Sequence, residues 1–303
     1  MEPSSYGVLE GGATLSSTAV CLSRQQGVLS LRIAREGGKS VLRDLYQSHL
    51  LKVMKPFYPD ETGQVLLYIM SPSGGMMQGD AYHIEVDIGR GAAATLTTQA
   101  AGRVHKTTGL PVEQRQIFRV GEEALLEWLP DEVIPYAASS FHGETQIHLS
   151  PSSHLLFAEV LASGRISRGE SFAFTQWHNR TSLYVGGRLT FQDHLHLTPS
   201  SQPLLTETYF AGHTYYGQMF CYTSLLGNTR AQPGVAASEF VQHLQQQVQS
   251  FPGVYAGLSV PQTNLLLLRA LSTDVQSLHR LIHWIRSSVR AQLLFLPEQP
   301  LRK

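Results

Sequence analysis

The sequence predicts a mainly β protein with two α-helices near its C-terminal end. Apolar and polar residues alternate with period two through most of the first two thirds of the chain, as in residues 29–33 and 82–88. Such alternation is typical of half-buried strands. Because no long helical pattern separates the strand segments, the order of elements favours an all-β body over a doubly wound α/β sheet.

Further strand segments are rich in β-branched and aromatic residues and are punctuated by Gly, Pro, Ser or Asn. They cover residues 92–108, 116–130, 145–163 and 171–197. We expect a single domain over residues 1–303, with a β body at about 12–210 and a helix-containing part at about 211–303. No internal repeat or low-complexity linker divides the chain.

Two segments near the C-terminus have the three-and-four spacing of amphipathic helices. The first follows a candidate cap at Ser238, and the second begins near Thr273 or Asp274. In the second, an apolar stripe runs beside a basic one. The basic stripe consists of His279, His283, Arg286 and Arg290.

Composition excludes several classes of protein. The 303 residues carry no formal net charge, and only 15% are charged, so neither nucleic-acid binding nor disorder is expected. A surface of such low charge favours self-association or binding to partners. Cys21 and Cys221 lie far apart, which argues against a disulfide framework or a structural zinc module. We expect a cytoplasmic protein without a signal peptide or a membrane span.

The glycine-rich stretch SPSGGMMQGD, residues 71–80, lies between two strand segments. A phosphate loop needs Gly-Lys-Ser/Thr at the start of a helix, whereas Gly79 is followed by Asp80 and a strand. We therefore expect a strand-connecting turn shaped by Gly74, Gly75 and Gly79. The adjacent pair Met76 and Met77 is unusual for an exposed turn, so these side chains pack either into the core or against a partner.

Histidine pairs are the candidate metal ligands. His194 and His196 share one face of a strand, and His279 and His283 share one face of a helix. Neither pair belongs to an H-E-x-x-H motif or has a third ligand at a recognisable spacing. We predict no fixed catalytic metal, and His194 and His196 are candidates for weaker contact.

Acidic residues offer candidates for acid–base chemistry, but they do not form a catalytic motif. Residues 126–136 carry Glu127, Asp131 and Glu132, and residues 162–170 carry Arg165 and Glu170. A carboxylate near an arginine is more often a structural ion pair than a catalytic group. The sequence therefore predicts no enzymatic reaction.

These stretches, taken in order, resemble the urease accessory proteins of the D type, which are called H in some species. The segments are SPSGGMMQGD followed by TTQAAGRVHKT, LEWLPDEVIPY, EVLASGRISRGE and LLLLRALSTDVQSLHRLIHWIR. The resemblance extends from about residue 12 to about residue 290. It departs from the family pattern mildly, for example at Gln78, where many members have a glycine, and at His105, which often corresponds to tyrosine.

The resemblance implies a fold in which strands wind and stack helically, in a β-helix-like manner, with a pair of helices. It also implies a non-catalytic role in urease maturation. Members bind apo-urease and an F-type accessory protein, and through the latter a G-type GTPase that delivers nickel. We expect a dimer of such heterocomplexes, nickel in transit and no tightly bound cofactor.

For an internal nickel path, or polar support of one, the candidates are Asp80, Thr98, Gln99, Arg165 and Glu170. Because Thr98 and Gln99 are adjacent on one strand, we expect at most one of them to line a passage. The helix from Asp274 to Arg290 is the candidate surface for the F-type partner. Two alternatives remain: a metal-dependent enzyme that uses His194 and His196, and an unrelated β-rich binding module.

Overall fold

The computed structural model describes residues 25–226 and 233–301, with backbone alone at the start of the first helix. Cys21 and the beginning of the expected β body, residues 12–24, lie outside the described residues. Seventeen strands and two α-helices are present within these ranges.

The first sheet has seven strands in the order β14-β13-β11-β8-β5-β1-β2. Its five central strands are parallel, and β2 and β14 are antiparallel edge strands. The strands are β1 (Gln26–Glu36), β2 (Lys39–Gln47), β5 (Ala81–Ile88), β8 (Val112–Val120), β11 (Ser140–Leu149), β13 (Gln176–Val185) and β14 (Arg188–Leu197).

The second sheet has ten strands, and its main path runs β16-β17-β15-β12-β9-β6-β4-β3; off this path, β10 pairs with β12 and β7 pairs with β10. Its strands are β3 (Lys52–Val53), β4 (Val65–Met70), β6 (Ala93–Thr98), β7 (Gly102–Val104), β9 (Leu125–Trp128), β10 (Val133–Pro135), β12 (His154–Ala162), β15 (Tyr215–Thr223), β16 (Tyr255–Gln262) and β17 (Leu265–Ser272). The last three strands extend this sheet beyond residue 210, so strands are not confined to the first two thirds of the chain.

From β4 to β13 the chain passes back and forth between the two sheets, and each new strand lies parallel to the previous one in its own sheet. The result is a stack of coils similar to a β-solenoid, which confirms the predicted mainly β fold with wound strands. Turns between the coils take left-handed backbone conformations at several glycines, as at Gly79.

Two apolar layers hold the structure together. The first lies between the sheets and includes Leu31, Val86 and Phe118 from one sheet and Leu96 and Phe157 from the other. The second lies between the outer face of the second sheet and the two helices. Strand β12 contributes to both layers, which explains why its burial does not alternate.

The helices α1 (Pro233–Gln249) and α2 (Val275–Gln292) cover the second sheet. Helix α1 begins at Pro233, before the predicted cap at Ser238, because proline is favoured in the first turn of a helix. Helix α2 begins as predicted, since the Asp274 carboxylate accepts hydrogen bonds from the amides of Gln276 and Ser277. Neither helix is long and apolar enough to span a membrane.

Candidate functional site

A cavity of about 280 Å³, lined by apolar side chains and by a group of polar ones, lies between the two sheets. Strands of both sheets contribute lining residues, together with the glycine-rich turn and the segment after β6. The polar lining includes Gln114, Gln116, Asn179, Glu159, Gln218, Tyr216, Thr98, Gln99 and Asp131. Because polar groups inside a sandwich core cost free energy unless they are hydrogen-bonded, their concentration at one place indicates a functional site.

Glu159 on β12 is the carboxylate inside this cavity. Its Oε2 accepts hydrogen bonds from Gln218 Nε2 at 2.7 Å and from Asn179 Nδ2 at 3.2 Å. Tyr216 in turn donates to Gln218 Oε1 at 2.9 Å. Burial raises the pKa of Glu159, while the two amide donors oppose the shift. The carboxyl is thus held by neutral partners in a site that disfavours its negative charge.

Thr98 and Asp131 form part of the cavity wall. The amide of Asp131 donates to Thr98 Oγ1 at 2.8 Å, and the Thr98 hydroxyl lies 3.4 Å from Asp131 Oδ2. Gln99 lines the same cavity. The expectation that at most one of Thr98 and Gln99 could do so was wrong, because β6 ends at Thr98 and strand alternation does not extend to Gln99.

Asp131, Glu132 and His279 offer three possible metal ligands beside the cavity. One ligand atom from each residue lies within 4.8 Å of the others. His279 Nε2 is 3.1 Å from Glu132 Oε2, which joins helix α2 to the segment before β10. Asp131 belongs both to this cluster and to the cavity wall. The arrangement combines oxygen and imidazole ligands, which suit divalent transition metals.

The glycine-rich turn approaches β7 at the cavity wall. Met76 donates its amide to the Arg103 carbonyl at 2.7 Å, and His105 donates to the Met76 carbonyl at 2.9 Å. Gly75 has φ +140°, and a Cβ there would lie 2.7 Å from the Arg103 carbonyl oxygen. Gly75 is therefore required for close backbone approach, as predicted.

The other residues of the turn differ in their environment. Gly79 has φ +77°, as expected of a turn glycine, whereas Gly74 has a φ that any residue can adopt and open space around it. The prediction that Gly74 shapes the turn was therefore wrong. Met76 packs in the core between the sheets, and Met77 is 53% exposed. The two methionines thus lie on opposite sides of the turn.

Asp80 supports the turn. Its Oδ2 accepts a hydrogen bond from the Met77 amide at 2.8 Å and lies 3.4 Å from the Tyr82 hydroxyl. The Asp80 amide donates back to the Met77 carbonyl at 3.0 Å. Asp80 is 6% exposed, and its contacts are those of a capping side chain. Of its two predicted roles, this geometry favours polar support.

Arg165 and Glu170 form an ion pair on the loop after β12. Both guanidinium nitrogens Nε and Nη2 donate to the carboxylate, with 2.7 Å between Nε and Oε2. The Arg165 guanidinium stacks over the Tyr136 ring at 4.2 Å, and Ala137 donates its amide to Glu170. The hydrogen bonds from Arg165 lower the pKa of Glu170. This pair joins two loops outside the cavity.

The predicted basic surface on helix α2 is wrong for two of its four residues. Arg286 is 2% exposed and Arg290 is 0% exposed, and both donate to Glu127 on β9 at 2.7–2.8 Å. The guanidinium groups also donate to the carbonyls of Gln299 and Pro297. They therefore anchor the helix and the C-terminal segment, and no partner can reach them in this conformation.

Glu127 is ionised within this buried cluster. Burial alone would raise its pKa, but the charges of Arg286 and Arg290 outweigh burial and lower the pKa to about 2. Thr95 and Gln64 add hydrogen bonds to Oε2 at 2.7 and 3.1 Å. The remaining residues of the predicted surface, His279 and His283, are half-buried.

His194 and His196 lie on the solvent face of β14, as the sequence predicted from their shared face. Their rings approach that of His178 on β13, which in turn approaches that of His142 on β11. This group is outside the cavity, on the opposite face of the first sheet.

Comparison with known proteins places the chain in a family. The sequence model of the UreD urease accessory proteins matches residues 25–303. The chain belongs to the UreD family. The structure described above is therefore that of a UreD-family protein, and the resemblance seen in the sequence motifs is confirmed.

Individual UreD proteins are similar to part of the chain. The urease accessory protein UreD of Actinomyces naeslundii is 39% identical over 168 residues, which cover 55% of this chain and 62% of the relative. Those of Acetivibrio thermocellus and an Arthrobacter species are 34% and 38% identical, over 55% and 52% of this chain. The matched region spans 63% and 54% of these two relatives, so the chain covers less than two thirds of the length of each of the three.

Sequence reasoning missed the central residues of the cavity. Glu159, Asn179 and Gln218 come from three strands, and nothing in their sequence spacing joins them. A signal did exist for Glu159, because it is the only charged residue in the apolar run 155–163. Glu127 has the same signal in residues 124–129, so the signal identifies a buried carboxylate but not its role.

Proposed function

We propose that the chain is a urease maturation factor that works as a non-catalytic scaffold. In this role it binds apo-urease and an F-type accessory protein, and through the latter a G-type GTPase, and it helps to deliver nickel to the urease active site. The observation that carries the proposal is the UreD family match over residues 25–303. UreD proteins are named as urease accessory proteins, and as part of this proposal we assign the inter-sheet cavity to nickel insertion.

Nickel enters this proposal as cargo that passes along the cavity. Asp131, Glu132 and His279 receive the ion at the wall, and Asp131 leads into the cavity. Carboxylates and imidazole bind Ni²⁺ well, whereas a closed thiolate site would hold it too tightly for transfer. A few carboxylate and imidazole ligands in series therefore suit passage of the Ni²⁺ ion better than its long-term binding.

Glu159 is the proposed nickel ligand deeper inside the cavity. With neutral partners and a raised pKa, its carboxyl gains a compensating charge when a divalent cation arrives. Binding of the ion would therefore release a proton from Glu159 wherever the group is protonated. Asn179 and Gln218 hold the side chain in place and can turn their amide oxygens toward the ion.

Cys221, the cysteine within the described residues, does not support a thiol-dependent reaction. Cys221 is buried in the layer between the second sheet and the helices, and burial raises its pKa to about 12. The thiol therefore stays protonated near neutral pH and cannot act as a nucleophile or a thiolate ligand.

Co-expression tests the proposal. Urease structural subunits are produced with the F-type and G-type proteins, with or without this chain, and the cells receive nickel and bicarbonate. We expect urease activity and urease-bound nickel to depend on the chain, and the chain to copurify with urease and the F-type protein. Equal activity and nickel content without the chain would contradict the proposed function.

A further inference from the structure

Four histidines lie side by side on the outer face of the first sheet. His142 on β11 is in register with His178 on β13, and His178 is in register with His196 on β14. His194 precedes His196 by two residues and therefore lies on the same face of the strand. We call these four residues the histidine patch.

The imidazole rings of the histidine patch are close enough to share a metal ion. The ring centroid of His178 lies 4.6 Å from that of His194 and 5.3 Å from that of His196. A nitrogen–metal bond of about 2.1 Å places each centroid about 3.2 Å from the ion, so two rings on one tetrahedral or octahedral ion are roughly 4.5–5.2 Å apart. The centroid distances from His178 to His194 and to His196 are close to this range.

The third ring must rotate to reach the same ion. The centroids of His194 and His196 are 6.0 Å apart, and both side chains are exposed, so neither is held by packing. His196 Nε2 lies 3.0 Å from the Gln176 amide nitrogen and 3.3 Å from Thr198 Oγ1. Metal binding at this nitrogen replaces these hydrogen-bond contacts with a coordination bond. His142, with its centroid 5.6 Å from that of His178, is a further ligand within reach.

The arginine beside the histidine patch is paired with a carboxylate. Arg180 is in register with His194 and donates to Glu144 at 2.9 Å, so Glu144 offsets part of the positive charge that a bound cation would meet. His142 and His178 also line an outer groove of about 540 Å³, which a hydrated ion can enter. The site is therefore accessible from solvent without any change in the fold.

We propose that the histidine patch binds a divalent transition metal of borderline softness, namely Ni²⁺, Zn²⁺ or Cu²⁺. His178 and His194 are the primary ligands, and His196 is the third. A set of imidazoles alone selects these ions over Mg²⁺ and Ca²⁺, which require oxygen ligands. This surface site is separate from the inter-sheet cavity, so it does not depend on the proposed function.

Calorimetric titration of the untagged full-length chain with ZnCl₂ and NiCl₂ tests the proposal. The double variant His178→Ala/His194→Ala removes the primary ligands, and both positions are on the outer face of the sheet, where the fold tolerates alanine. His148→Ala is the matched control, because His148 lies on the same face of β11 but stacks on Tyr184. Glu132→Gln tests separately whether the metal binds at the Asp131, Glu132 and His279 cluster beside the cavity.

We expect the double variant to bind Zn²⁺ at least about tenfold more weakly, with His148→Ala and Glu132→Gln retaining that binding event. Electron paramagnetic resonance of the Cu²⁺-loaded chain should show coupling to imidazole nitrogen that the double variant loses. Unchanged binding in the double variant, or an equal loss in His148→Ala, would overturn the proposal. Loss in Glu132→Gln alone would assign the metal to the cavity instead.

Discussion

Glu127 and Glu159 lie on neighbouring strands of the second sheet, yet they serve different purposes. Strand β9 pairs with β12, and the two carboxylates face opposite sides of the sheet. Glu127 pairs with two arginines of α2 in the layer between the second sheet and the helices, and its pKa falls to about 2. Glu159 meets neutral amides between the sheets, and its pKa rises. The partners, rather than burial alone, decide whether the pKa of a carboxylate in the core falls, as at the structural anchor Glu127, or rises, as at the proposed nickel ligand Glu159.

The largest effect should come from Glu127→Gln. The change leaves the guanidinium groups of Arg286 and Arg290 buried without a counter-charge, which costs about 3–5 kcal/mol of unfolding free energy. Denaturant unfolding of the purified chain measures the loss. Glu122→Gln is the control, because Glu122 is a surface carboxylate 61% exposed, and we expect less than about 0.5 kcal/mol there. Equal stability of the two variants would contradict the role of Glu127 as a structural anchor.

Acidification should have the next largest effect. The pKa of Glu127 is lower in the folded state, about 2, than its ordinary value of 4.5. The stability from its ionisation is therefore present above pH 4.5 and is lost as the pH falls toward 2, by about 3 kcal/mol in all. Unfolding curves measured from pH 7 to pH 3 should show the gap between wild type and Glu127→Gln narrowing. A gap independent of pH would contradict the assignment.

Asp80→Ala should cost about 1 kcal/mol, because it removes the carboxylate that accepts the Met77 amide hydrogen bond. If Asp80 only supports the turn, the variant loses stability, and its nickel transfer per folded molecule is unchanged. Asp80→Asn, which keeps an acceptor oxygen, should recover most of the loss. Thermal unfolding together with urease activation distinguishes this result from a direct contact of Asp80 with nickel.

Glu159→Gln should have the smallest effect on stability, and in the opposite direction. The raised pKa of Glu159 means that its ionisation opposes folding, so the native state loses stability as the pH rises through the unfolded-state pKa. The variant should be at least as stable as wild type at pH 7, and any gain should vanish at pH 4. A large loss of stability would indicate that Glu159 is a structural anchor like Glu127.

Much of the architecture followed from local patterns. Alternation located the strands around Leu31 and Val86, and a capping carboxylate at Asp274 marked the start of α2. The winding of strands into coils followed from the family motifs, since period two says nothing about which strands pair. The start of α1 was misplaced because Ser238 is an ordinary residue inside a longer helix.

The candidate site was less predictable because it is made by long-range pairing. Glu159 and Gln218 are 59 residues apart in sequence and meet only when β12 pairs with β15. The basic stripe on α2 was misread for a related reason. Arginine is usually exposed, and only the position of Glu127 on β9, 159 residues before Arg286, explains its burial. Helical spacing shows which residues share a face but not what that face meets.

The most direct test of the account is nickel transfer to urease by the Glu159→Gln chain. Apo-urease complexes containing wild-type, Glu159→Gln or Glu122→Gln chain are purified with the F-type and G-type proteins, supplied with nickel and bicarbonate, and assayed for urease-bound nickel and activity. We predict that Glu159→Gln assembles normally but loads at least about tenfold more slowly, whereas Glu122→Gln matches wild type. Normal loading by Glu159→Gln in an intact complex would contradict the assignment of the inter-sheet cavity as the nickel path.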